Sequence, residues 1–114
     1  MILMSEEELL VAIRKMIKRA EEPKIAKRFA EYSKSLQMAF QDIDLDIIVL
    51  FEDGIGTVEK GTIENPAMRI TTDSKTILDI LSGNLSAMRA FMSGKIKAKG
   101  PTRDLMKLQH LLKA

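Results

Sequence analysis

The sequence predicts an α+β fold, a five-stranded sheet with helices covering one face. Three patterns predict it. Apolar residues recur at helical spacing near both ends of the chain. The middle switches to a period of two and carries Asp53-Gly54, a strong hairpin signal. Gly83, Gly94 and Gly100 then punctuate two apolar segments and a Lys-rich strand, and a Leu-rich helix follows.

Each element has its own warrant. Ser5 and Glu8 make a capping box, with Met4 and Leu9 placed as its hydrophobic staple. The helix they begin runs to about Ala20. Leu9, Leu10, Ile13, Met16, Ile17 and Ala20 share one face, and Arg14, Lys15, Lys18 and Arg19 fall opposite. Pro23 opens a shorter helix with Ile25, Phe29 and Tyr32 on its buried side. From Ser35, Leu36, Met38 and Phe40 alternate with Gln37, Ala39 and Gln41, the pattern of a half-buried strand. Asp42-Ile43-Asp44 supplies a turn before a strand over Leu45 to Glu52, and Asp53-Gly54 leads into a third over Ile55 to Lys60.

A loop with Asn65-Pro66 precedes a fourth strand, Met68 to Thr71. Asp73 or Ser74 caps a helix carrying Ile77, Leu78, Ile80 and Leu81, which Gly83 stops. A further helix spans roughly Leu85 to Met92, with Leu85, Met88 and Met92 on one stripe. Lys95 to Lys99 reads as the fifth strand, its three lysines projecting from one face. Pro101 or Thr102 begins the last helix, with Leu105, Leu108, Leu111 and Leu112 inward. At 114 residues the chain suits one domain, residues 1–114.

Composition narrows the function. Hydrophobic residues make 46% of the chain but aromatics only 4%, and eight methionines fill much of that gap. Methionine adapts to irregular spaces, which suits either core filling or a site that accepts varied ligands. No cysteine is present, so thiolate nucleophiles, disulfides and thiolate metal sites are excluded. His110 is the one histidine, which leaves no His pair for zinc and no Ser-His-Asp set. Asp42, Asp44 and Asp46 lack the Gly and distal Glu of a calcium loop, and read as turn-forming and solubilising. Gly94-Lys95 lacks the flanking residues of a phosphate loop. No catalytic residue, metal or cofactor is therefore expected.

Charge is mild at +2 but unevenly spread, basic at both ends and acidic in the middle. The basic face of the first helix has no interleaved aromatics, so nucleic acid is not expected as a partner. Weak, salt-sensitive contact with an anionic membrane through that face and the last strand is expected instead. Lys95, Lys97 and Lys99 can equally guard an edge strand against pairing with another sheet. The N-terminal Met-Ile-Leu-Met run lacks the length and basic flank of a secretion signal, and no apolar run is long enough for a membrane span. A cytoplasmic location is expected.

With these residues placed, the chain resembles the type-two sterol carrier, or non-specific lipid-transfer, family. The likeness runs from Met38 onward. It rests on Ser82-Gly83-Asn84-Leu85, on Ala90-Phe91-Met92-Ser93-Gly94-Lys95-Ile96-Lys97, on Gly100 and on Met106-Lys107-Leu108-Gln109. Asp53-Gly54 and the Ile70-Thr71 strand before Asp73 also fit. The resemblance implies an apolar tunnel between sheet and helices that holds a fatty acid, fatty acyl-CoA, sterol or isoprenoid-like molecule. The C-terminal Leu112-Lys113-Ala114 does not match the peroxisomal address of many eukaryotic members. The lining expected from the matching segments is Phe40, Ile70, Leu78, Leu81, Leu85, Met88, Phe91, Met92, Leu105 and Leu108. Gln109 or the Lys95 strip would hold a ligand's polar end. Met88→Lys is expected to abolish fatty-acid binding in a folded protein. A second reading makes the chain an accessory protein that presents isoprenoid lipids or quinones to partner enzymes.

Overall fold

The computed structural model describes residues 6–113, in the order α1 (Glu6–Lys18), α2 (Pro23–Phe29), β1 (Ser35–Phe40), β2 (Leu45–Glu52), β3 (Ile55–Lys60), β4 (Met68–Thr72), α3 (Ser74–Leu81), α4 (Ala87–Met92), β5 (Lys97–Lys99) and α5 (Thr102–Lys113). Met4 and Ser5, the expected staple and cap of α1, lie outside the described residues. A single 3-10 turn, Arg19–Glu21, extends α1 and carries the buried Ala20.

The strands form one sheet in the order β3-β2-β1-β4-β5. β1 pairs antiparallel with β2 and parallel with β4, so the chain crosses over between β3 and β4. Register decides which residues face the helices. Leu36 lies opposite Val49 and Met68, and Met38 opposite Ile47 and Ile70. These, with Phe40, Leu45 and Phe51, form the buried inner face. Asp46, Glu52, Arg69, Lys97 and Lys99 fall on the other face, exposed.

Local chemistry fixes the turns. Asp53 and Gly54 both take positive φ, 50° and 84°, as a tight hairpin turn requires. A side chain at Gly54 would also strike the Phe29 carbonyl oxygen, 2.5 Å from the Cβ position. Gly56 is a close-approach residue: a Cβ there would lie 2.3 Å from Ile17 Cγ2, so α1 packs directly on β3. Asp42 tethers the start of α3 by accepting the Ser74 backbone N–H at 3.0 Å and its hydroxyl. Asp73 caps the same helix, accepting from the Thr76 N–H at 2.7 Å.

Four local expectations change. Gln37 alternates outward as the pattern demands, yet it is buried. Its amide donates to the Ile47 and Gly61 carbonyls at 3.1 and 3.0 Å and accepts from the Ile63 N–H at 2.8 Å, because the loop after β3 folds over it. Tyr32 is buried but lies beyond the end of α2. α4 begins at Ala87 rather than Leu85, since Ser86 serves as its cap and accepts from the Arg89 N–H at 3.1 Å. Lys95 is not in the last strand. Its N–H closes the end of α4 on the Ala90 carbonyl at 2.9 Å, and only Lys97 and Lys99 share the outer face.

Candidate functional site

The space between the inner sheet face and the helices is the candidate site. Leu36 and Met38 of β1 and Ile70 of β4 form its floor. Met16 of α1, Ile77 of α3, Phe91 of α4 and Ile96 close the sides, and Leu105, Leu108, Gln109 and Leu112 of α5 form the roof. Gln109 is the one polar side chain among them. A wall of this kind offers dispersion and burial to an alkyl or polyprenyl chain and almost nothing to a polar substrate.

Among the described residues, the open tunnel that the resemblance implies is not present between the sheet and the helices. The remaining space is about 10 Å³, the lower limit for a single water. The physical reason is that an empty apolar slot forfeits contacts on both walls, so flexible side chains such as Met16 and Met38 close it. A ligand pocket is typically about 300 Å³ or more, so a lipid could enter only if a wall moved.

The expected lining divides into three groups. Ile70, Phe91, Leu105, Leu108 and Gln109 meet at the interior space. Phe40 is fully buried at the far end of β1, where it faces Leu45 and Thr72, and Leu78 and Leu81 are half-buried on α3. Leu85 is half-buried against the edge of the core, and Met88 and Met92 lie on the outside. Met88 is 54% and Met92 82% exposed, because α4 turns Ala87 and Ala90 inward and its methionine stripe outward. A lysine at Met88 would reach solvent directly, so that substitution does not probe the interior.

Sequence reasoning omitted Met16, Leu36, Met38, Ile77, Ile96 and Leu112. Each had a usable signal. Met16 lies on the apolar face of α1, and Leu36 and Met38 alternate on β1. The matching segments begin at Met38, so they could not reveal that α1 and the start of β1 contribute walls.

Two surface recesses adjoin α4. One is lined by Ile80, Gly83, Leu85, Ser86, Ala87, Met88, Gln109 and Leu112, and the other by Leu85, Arg89, Met92, Ser93 and Lys95. Gln109 and Leu112 also border the interior, so they partition it from the first recess.

The roof helix is pinned at its N-terminal end. Tyr32 donates to the buried Asp104 carboxylate at 3.0 Å, and Lys34 lies 3.6 Å from the same group. Burial, then the hydrogen bond to Asp104 and its charge, push the Tyr32 phenol above the ordinary tyrosine value. Farther along, Arg19 donates to the Leu111 carbonyl at 2.7 Å. His110 is half-buried on the same helix. Among the described residues, no cluster of carboxylates and histidine could hold a metal ion, and no helix is long and apolar enough to cross a membrane.

Residues 13–113 match the SCP-2 sterol transfer family. No curated protein sequence matches the chain significantly. Among solved structures, palmitated SCP2L2 from Aedes aegypti superposes with a TM-score of 0.73 at 20% identity, covering 97% of this chain and 96% of that one. UbiJ-SCP2, a ubiquinone synthesis protein, gives 0.69 at 12% identity over 94% and 95%. The stereoselective inverting sec-alkylsulfatase Pisa1 from Pseudomonas sp. gives 0.70 at 19% identity. That match covers 97% of this chain but 17% of the sulfatase, so the chain spans less than a fifth of that enzyme's length. At such identities the likenesses establish the fold.

Proposed function

The chain belongs to the SCP-2 sterol transfer family, and on that premise we propose that it is a lipid-binding carrier. It takes a fatty acid, fatty acyl-CoA, sterol or isoprenoid-like molecule between its sheet and helices. The observation that carries this reading is the interior wall, ten apolar side chains and one glutamine drawn from the inner sheet face and four helices. Binding requires α4 to lift from the sheet and from α5, which is itself pinned through Asp104 and Leu111. The apolar surface so exposed is covered again by the ligand, which keeps the cost of opening low. Burying methylenes gains about 0.8 kcal/mol each, so a ~16-carbon chain offers on the order of 10 kcal/mol before ordering costs. Ile70, Phe91, Leu105 and Leu108 would contact the chain, and Gln109 at the partition would meet its polar end. Carriage rather than catalysis fits a wall with no acid, base or nucleophile.

The test is titration of delipidated protein with a fluorescent fatty acid, together with native mass spectrometry of protein purified from its own cells. Saturable one-to-one binding and a bound apolar mass are the expected results. No binding and no added mass would overturn the reading.

The whole-length match to a ubiquinone synthesis protein favours one second reading, an accessory protein that presents isoprenoid lipids or quinones to partner enzymes. That reading additionally requires a stable complex with another protein, which co-purification at native abundance would reveal. A cytoplasmic location goes with either reading.

A further inference from the structure

The geometry points to α4 as the surface on which this protein docks to an anionic lipid bilayer, with the adjoining recess as the mouth of the interior. The inference rests on the carrier reading for the role of that mouth, but the docking surface stands on observations of its own.

The first observation is exposure. Met88 and Met92 are 54% and 82% exposed on a six-residue helix, and Leu85 beside them is half-buried. Two unbranched thioethers pointing outward from one short helix suit insertion among acyl chains, since they conform to an irregular surface. The second is charge. Two basic residues, Arg89 on α4 and Lys95 just after it, lie at this surface, and the sequence from Ile80 to Arg103 has no acidic residue. Arg89 and Lys95 share a recess with Leu85 and Met92, and neither is in an ion pair among the described residues. Apolar tips flanked by two unpaired cations complement a surface of anionic head groups over hydrocarbon.

The third observation is continuity. Leu85 lines both recesses, while Gln109 and Leu112 stand between the inner recess and the interior. A lipid leaving the bilayer under α4 would meet those two side chains at the boundary of the interior.

The basic face of α1, where sequence reasoning looks first, is less suited. Arg14 and Arg19 are engaged with the Val58 and Leu111 carbonyls, and Glu6, Glu7 and Glu8 occupy its first turn.

The test is co-sedimentation with phosphatidylcholine–phosphatidylglycerol vesicles and with pure phosphatidylcholine vesicles. The wild type should partition onto the mixed vesicles and less onto the neutral ones, with the effect fading as salt rises. Arg89→Glu combined with Met92→Ser should lower partitioning about tenfold. Lys15→Glu combined with Val11→Ser, the same change on α1, should leave it within about twofold of wild type. Circular dichroism verifies that both variants are folded. Equal loss in the two variants, no loss in the α4 variant, or no wild-type preference for anionic vesicles overturns the proposal, the last pointing to a protein partner. Fluorescent fatty-acid titration without vesicles separates the two claims. The α4 variant should bind as the wild type does, and a wild type that binds vesicles but no fatty acid refutes the carrier reading alone.

Discussion

The two ends of the sheet are built on opposite plans. At the β2–β3 end, Phe29, Tyr32 and Phe51 pack edge-to-face and tilted with centroids 5.4–5.5 Å apart, and Lys107 lies over two of the rings. α1 lies close enough to β3 that only glycine fits at Gly56. At the β5 end the strand is three residues long, and α4 buries fully only two alanines. Its connection to the sheet includes a 2.8 Å hydrogen bond from the Thr72 hydroxyl to the Lys95 carbonyl. The difference teaches where an apparently closed fold can open. Separating large interlocked rings forfeits many contacts at once, whereas lifting a short helix off small side chains forfeits few.

The comparison can be broken by substitution. Phe29→Ala should cost about 3–5 kcal/mol, a large share of an ordinary domain's stability, while Phe91→Ala at the half-buried α4 position should cost about half as much or less. Urea denaturation measures both, and equal losses would erase the distinction between the ends. Gly56→Ala should cost about 1–3 kcal/mol through overpacking against Ile17 and Phe51, read in the same assay.

The pH dependence sharpens the locked end. Tyr32 holds its proton more tightly folded than unfolded, so its contribution is fully present below the ordinary value of 10.0 and is lost as pH rises beyond it. Above that value wild-type stability should fall more steeply than that of Tyr32→Phe, and parallel curves in alkaline denaturation would count against the Tyr32–Asp104 contact. The smallest effect belongs to the other end. Arg69 and Lys99 face each other across β4 and β5, two like charges in register. Lys99→Glu should gain about 0.2–1 kcal/mol, visible as a slightly raised melting temperature.

What could be read from sequence follows the same division. The β1–β2–β3 meander was legible to within a residue because alternation and Asp53-Gly54 are local signals that fix register. The helical spacing of Leu85, Met88 and Met92 was real, but spacing does not say which face points inward. Ala87 and Ala90 settle that through close packing, which local pattern cannot display. Gln37 was hidden for a similar reason, since only the loop after β3 makes its burial tolerable. The fold was legible, and five of the eleven residues that border the interior space, Ile70, Phe91, Leu105, Leu108 and Gln109, are among those expected from the sequence. The closed state of that space was not legible, because whether apolar walls touch or stand apart depends on packing across elements far apart in sequence.

The central claim is that a lipid enters between the sheet and the helices by lifting α4 away from the sheet and α5. Nuclear Overhauser contacts between carbon-labelled palmitate and the protein test it most directly. Contacts from the chain methylenes to Met38, Ile70 and Leu108 are the predicted result. Contacts confined to Met88 and Met92, with the interior side chains unperturbed, would contradict it.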